Sequence, residues 1–307
     1  MRNAFIETLI KLAEKDKSIY LLTGDLGFSV FETFAKKFPK RFFNCGVAEQ
    51  NMMGTAAGLA LSGKKPYVYS IIPFVTIRCL EQIKDDVAYQ NLNVKIVGVG
   101  GGYSYGYLGA THHATEDIAI LRVLPNLKVF TPGDSVETEK LMIEAYKAKG
   151  PAYFRLTNVG GKIVHQKKDK IKIGEPFVFN KGKDGVLIVN GIFLGIGKDL
   201  VEELKKAGYN FKLISLPTLK PINEESLWKE LKDQKLVFSL EEHSLIGGMG
   251  TALTEILMDK GWKGILKRIA APDKFFPKVG KAEYIREKYH LTKKQVKEYI
   301  LKICSVK

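Results

Sequence analysis

The sequence predicts an α/β protein of two domains, each a mostly parallel sheet flanked by helices. Three observations carry that reading. Short runs rich in Val, Ile, Leu and Tyr alternate with longer segments of helical period, the order that lays helices over a parallel sheet. The alternation stops at a polar, Lys-rich stretch and then restarts. The chain has 307 residues, enough for two cores. The predicted boundaries are a first domain over 1–165, a linker over 166–183 and a second domain over 184–307.

The elements follow in order. Residues 1–10 read as an amphipathic helix without the apolar centre of a signal peptide. Residues 20–23 are a strand, ended by a turn at Gly24-Asp25. Residues 41–45 are a second strand, and Gly46 permits a tight turn into a helix over 48–61. That helix is apolar on nearly every side and is therefore predicted to be buried. A strand over 67–71 precedes a helix over 77–88, with Leu80, Ile83 and Val87 at helical spacing. A buried strand over 94–99 leads into a glycine-rich loop over 100–109. A strand over 128–131 ends at Pro132-Gly133-Asp134, and a helix over 136–147 follows. The second domain has strands at 186–189, 211–215 and 235–240, helices at 197–206 and 248–259, and closing helices at 281–289 and 293–303.

Net charge is +15, from 48 basic and 33 acidic residues. The excess is Lys scattered along the chain rather than a basic stripe with interleaved aromatics, which argues against nucleic acid as a partner. Phosphorylated sugars or an acidic partner subunit make better use of the charge. No apolar run approaches the ~20 residues of a membrane span. Cys45, Cys79 and Cys304 are far apart and in no metal spacing, so reduced thiols in a cytoplasmic protein are expected, with no metal ligands among them.

The most informative segment is 46–60, which sets one carboxylate, Glu49, at the start of a small-residue, apolar helix. Burial disfavours the charged form of such a group unless something pairs with it. A sequence that keeps Glu49 there has a specific partner for it, or uses it in the first turn to complement the helix dipole.

At this point the residues resemble a known family. The run Phe42-Phe43-Asn44-Cys45-Gly46-Val47-Ala48-Glu49-Gln50-Asn51-Met52 is similar to the pyrimidine-binding domain of transketolases. So are Gly109-Ala110-Thr111-His112-His113, Glu116-Asp117-Ile118-Ala119 and Leu124-Pro125-Asn126-Leu127. The run from Leu240 to Gly250, which holds Glu241-Glu242-His243, matches further along. The matches keep the family's order over most of residues 1–260. The resemblance implies a pyrimidine-binding thiamine diphosphate fold followed by a transketolase C-terminal domain. It also implies a thiamine diphosphate-dependent transferase that moves a two-carbon ketol unit between sugars.

The resemblance also assigns residues. It gives Glu49 the place of the carboxyl group bonded to the aminopyrimidine, a proton-relay role. Phe74 would stack on that ring or serve as ordinary core, and Ile71 stands where relatives often have another aromatic. His112 matches the histidine that faces the substrate's reacting oxygen, with His113 as an adjacent substrate-side candidate. Asp25 matches a cofactor-side position at a subunit interface, or is a turn residue bonding its own backbone. Arg155 matches a sugar-phosphate contact, or forms a structural ion pair. Gly247-Gly248-Met249-Gly250 and Glu241-Glu242-His243 fall in the C-terminal domain, where the resemblance makes them architectural.

Two departures bear on the substrate. Leu108 stands where sugar-discriminating relatives carry Asp, and Gly100 to Gly102 replace a phosphate-facing His. An unusual ketose, a 1-deoxyxylulose-5-phosphate-synthase-like donor or a 2-oxo acid would suit such a pocket. A third departure concerns the cofactor. The Gly-Asp-Gly and Asn pair that holds Mg2+ and the diphosphate in the family is not in this sequence. The expected arrangement is therefore a split enzyme in which an N-terminal transketolase subunit holds Mg2+. An α2β2 assembly is expected, with small residues of the Glu49 helix packing at its centre. A non-catalytic partner subunit is the alternative from another class.

Overall fold

The computed structural model describes residues 1–158 and 160–305. The first half contains α1 (Arg2–Lys15), β1 (Ile19–Thr23), α2 (Glu32–Lys37), β2 (Phe42–Asn44), α3 (Glu49–Leu61) and β3 (Lys65–Ile71). Then come α4 (Ile72–Val75), a π-helical stretch (Gln82–Ala88), β4 (Lys95–Val99), α5 (Asp117–Arg122), β5 (Lys128–Phe130), α6 (Ser135–Lys147) and β6 (Ala152–Leu156). The second half holds β7 (Phe177–Val178), β8 (Gly185–Val189), α7 (Phe193–Lys206), β9 (Phe211–Ser215), β10 (Thr218–Lys220) and α8 (Glu224–Leu231). It ends with β11 (Leu236–Ser244), α9 (Met249–Asp259), β12 (Ile265–Ala271), α10 (Ala282–Lys288) and α11 (Lys293–Ser305).

Two sheets result, in the orders β10-β5-β6-β4-β3-β1-β2 and β12-β11-β8-β9-β7. Both are parallel except at one edge strand each, β10 against β5 and β7 against β9. This is the two-sheet α/β architecture that the sequence predicts. Successive residues of a strand point to opposite faces. Leu22, Val68, Ile96 and Tyr153 therefore enter one core, and Leu21, Tyr67, Tyr69, Val97 and Phe154 enter another. The first of these cores continues through Val186, Ile188, Ile214 and Val237 of the second sheet. One apolar mass thus lies between the two sheets and belongs to both.

The junction differs from a free linker. Phe177 and Val178, within the expected 166–183 linker, add β7 to the second sheet. Upstream, Asp134 accepts hydrogen bonds from Val136 N and Glu137 N at the start of α6, and from Val164 N, His165 N and His165 Nδ1 of the connecting chain. Burial pushes the Asp134 carboxyl up, but these donors outweigh it and hold it down at about 2. A buried carboxylate therefore pins the connection to α6.

A second difference concerns α3. Glu49, Met52, Met53, Ala56 and Ala57 are buried, but Gln50, Asn51, Thr55 and Gly58 face outward. A Cβ at Gly54 or Gly58 would meet nothing within 4 Å. The helix is half-covered within this chain, not buried all round as expected. No helix among the described residues is long and apolar enough to cross a membrane.

Candidate active site

The topology creates the site. β1 lies between β3 and β2, so the chain leaves β1 to one side and returns across it through α3 to the other. The crevice at the carboxyl ends of β1 and β3 is the switch point, where open α/β sheets bind ligands. Glu49 opens α3 at that crevice. Gly46 makes the entering turn with φ of +71°, and no neighbour lies within 4 Å of its would-be Cβ, so backbone conformation explains the glycine. Gly24, just after β1, is explained by space instead: a Cβ there would lie 2.9 Å from Glu49 Oε1.

The Glu49 side chain is 1% exposed. Ser70 Oγ, on β3, donates to its Oε1 at 2.9 Å. Arg78 Nη1 donates to its Oε2 at 2.6 Å. The guanidinium lies over the Phe74 ring, 4.3 Å from its centroid. Phe74 in turn meets the edge of His112, with ring centroids 5.1 Å apart. Glu49, Arg78, Phe74 and His112 thus form one continuous chain of contacts. The sequence motifs did not single out Arg78. The available signal was its place: it lies four residues after Phe74 and carries a charge inside an otherwise largely apolar segment.

His112 is half-buried, and Thr111 Oγ1 lies 3.0 Å from its Nδ1. Burial lowers its pKa, which favours the neutral ring near neutrality. Leu108 sits four residues earlier on the same loop and is 43% exposed. Ile71 ends β3, partly buried, at the same rim. Asp25 bonds Asn44 rather than its own backbone: Asn44 Nδ2 donates to Asp25 Oδ1 at 2.8 Å, and Asp25 N donates to Asn44 Oδ1. Asn44 Oδ1 also accepts from Gly46 N, so Asp25 is tied to the turn that introduces Glu49.

Two expected substrate contacts are buried in this chain. His113 turns inward, 6% exposed, with its ring edge-on to Tyr103 at 5.2 Å. Arg155 lies on β6, 4% exposed, and donates to Asp117 Oδ2 at 2.8 Å and to the carbonyls of Ala114 and Glu242. A guanidinium this desolvated needs its carboxylate, and Tyr153 Oη donates to the same oxygen at 2.7 Å. Arg155 forms the buried ion pair of the second reading.

The second-domain motifs are occupied by their own chain. Glu241 accepts from Met249 N and Gly250 N, both at 2.7 Å, so a built-in carboxylate fills the start of α9. Glu242 pairs with Arg286, and buried His243 accepts from Ala119 N through Nε2. No group of three or more His, Cys, Asp or Glu side chains able to hold a metal occurs among the described residues.

Comparison with known proteins adds the relationship. Residues 1–159 match the family model for the transketolase pyrimidine binding domain, and residues 177–296 match that for the transketolase C-terminal domain. An apulose-4-phosphate transketolase subunit of Phocaeicola vulgatus is 36% identical over 260 residues, covering 84% of this chain and 83% of that protein. A 6-deoxy-6-sulfo-D-fructose transketolase subunit of Clostridium sp. strain MSTE9 is 32% identical over 297 residues, covering 96% and 92%. A solved structure described as a split gene transketolase, inactive beta4 tetramer, superposes with a TM-score of 0.89 at 34% identity, covering 99% of this chain and 97% of that one. With both family domains in sequence and the carboxylate crevice between β1 and β3, this chain belongs to the transketolase family.

Proposed function

We propose that the chain is the C-terminal subunit of a thiamine diphosphate-dependent split transketolase. It would transfer a two-carbon ketol unit from a ketose donor to an aldose acceptor, at a site completed by an N-terminal diphosphate-binding subunit. One observation carries this reading. A flat cation, the Arg78 guanidinium, lies over Phe74 while donating to the buried Glu49 carboxylate. A planar ring with an N–H donor, such as an aminopyrimidine, fits the same two partners. When bound, thiamine diphosphate supplies the acidic ring carbon that carries the two-carbon unit between sugars.

The residues of this chain then take separate roles. Glu49 would hold its carboxyl group at the ring nitrogen and exchange a proton with it, shielded from competing water. Ser70 fixes the other carboxylate oxygen, and Gly24 leaves room for it. Phe74 walls one face of the ring, while Ile71 and Asp25 border the crevice. His112, biased towards the neutral form, donates to or accepts from the substrate's reacting oxygen. Leu108 offers that substrate an apolar contact and no hydrogen bond. An unusual ketose donor follows from Leu108, and the modified donors in the names of the two relatives support it.

The partner subunit would hold Mg2+ and the diphosphate. Phe28, Val47 and Tyr107 are 77%, 75% and 56% exposed on the loops of the first domain, apolar surface that a partner would cover. The open face of α3 invites self-association, and an α2β2 assembly in the cytoplasm completes the reading. The similar beta4 tetramer, described as inactive, supports a chain that assembles with itself yet needs another chain for activity.

Reconstitution tests this. The chain alone should bind thiamine diphosphate weakly, and turnover should appear on adding the N-terminal subunit. Glu49→Gln in the assembled enzyme should lower turnover by ~10²–10⁴. Tight, Mg2+-dependent cofactor binding by the isolated chain, or near-normal turnover of the variant, would refute the proposal.

A further inference from the structure

Arg78 approaches Glu49 from solvent. Its side chain is 39% exposed, whereas that of Glu49 is 1% exposed. Among the described residues the guanidinium donates to Glu49 Oε2 and to no other acceptor, and it lies over the Phe74 ring. The two ends of this bridge therefore stand in unequal positions. The arginine can return to water with little loss, because an exposed ion pair contributes little. The carboxylate cannot be left alone, because a desolvated charge without a partner is strongly unfavourable. Ser70 satisfies only Oε1 and brings no charge. The bridge should thus open only when another N–H donor arrives at Oε2.

We propose that Arg78 is a positioning residue that acts through Glu49: a displaceable counter-ion that keeps the carboxylate paired and the crevice filled until the aminopyrimidine takes its place. This rests on the assignment of Glu49 to the cofactor ring made above. The competition is geometric. The guanidinium holds Oε2 and covers Phe74, the two partners assigned to the ring above, so the two compete. Ring binding then moves the guanidinium away from the Phe74 ring, which His112 also contacts. Cofactor arrival and the charge at the mouth of the site are thereby linked.

The test measures thiamine diphosphate affinity by titration calorimetry on the assembled enzyme with Mg2+, comparing wild type, Arg78→Met, Arg78→Lys and Glu49→Gln. Removing a competitor should tighten binding, so Arg78→Met is expected to bind ~10-fold more strongly than wild type. Arg78→Lys keeps a charge able to pair with Glu49 but loses the flat group over Phe74, and should fall between wild type and Arg78→Met. In the chain alone, Arg78→Met should melt lower, because Glu49 loses its partner. If Arg78→Met does not fold, Arg78→Gln keeps a neutral donor and should shift affinity in the same direction. Unchanged or weaker binding on loss of Arg78, with Glu49→Gln still impaired, would overturn the counter-ion role alone. Equal affinity of wild type and Glu49→Gln would overturn the Glu49 assignment and this proposal with it.

Discussion

Lys95→Met is expected to stabilise the protein in mildly acidic solution and to flatten part of its stability profile with pH. Lys95 lies on β4, 2% exposed. Its Nζ donates to Asn93 Oδ1 and to Gly150 O at 2.8 Å, neither of them charged. Burial, with Lys128 and Lys65 adding repulsion, lowers its pKa from 10.5 to about 7. Below about pH 7 both folded and unfolded chains carry the proton, and the folded state bears the whole burden of a desolvated ammonium. Between about 7 and 10.5 the folded chain has released the proton while the unfolded chain still holds it. Stability therefore rises with pH across that window, by ~1.4 kcal/mol per unit and ~4–5 kcal/mol in all. Methionine removes the burden and also forfeits two hydrogen bonds to a charged donor, together ~3 kcal/mol. The net expectation is a gain of ~1–2 kcal/mol at about pH 6, turning into a loss at about pH 9. Urea denaturation of both proteins at each pH reads the difference directly, with the other titrating groups cancelling. A constant difference across pH, or a variant already less stable at about pH 6, would refute the reasoning.

Two further predictions concern the crevice. Gly24→Ala places a methyl group 2.9 Å from Glu49 Oε1, so the carboxylate must shift. Turnover of the assembled enzyme should fall ~10–10² with circular dichroism unchanged, and full activity would mean that the carboxylate position is uncritical. Leu108→Asp adds an acceptor to the loop that carries His112 and should move donor preference towards ordinary ketose phosphates. A panel of donors compared by kcat/KM checks this, and an unaltered ranking would remove Leu108 from selectivity.

The sequence revealed the carboxylate and concealed its partner, for identifiable reasons. Glu49 stood out because an acid at the head of a small-residue helix has few explanations. Arg78 was hidden because Leu80, Ile83 and Val87 mark the buried side of that segment, and the charge lies off that side. Strand β6 was missed because Arg155 interrupts its apolar run, and only the fold supplies Asp117 to accommodate it. Strand β10 is three residues long, and its partner β5 lies far back in the chain, so no local pattern announces it. The α3 helix looked buried because Gly and Ala count as apolar at any depth. Its outward face in this chain follows from which strands it covers, not from its composition.

The strand that residues 218–220 lend to the first sheet has a bearing on how this protein could be taken apart. A cut between the two family regions would strip β5 of its outer neighbour and bare a row of backbone donors and acceptors, a template for sticking to stray chains. It would also split the apolar mass that both sheets share, leaving Ile188 and Ile214 on one fragment and Ile96 and Tyr153 on the other. Neither fragment is a self-sufficient module. The shared edge and core tie the two halves together, so a recombination that trades one should bring its borrowed edge along.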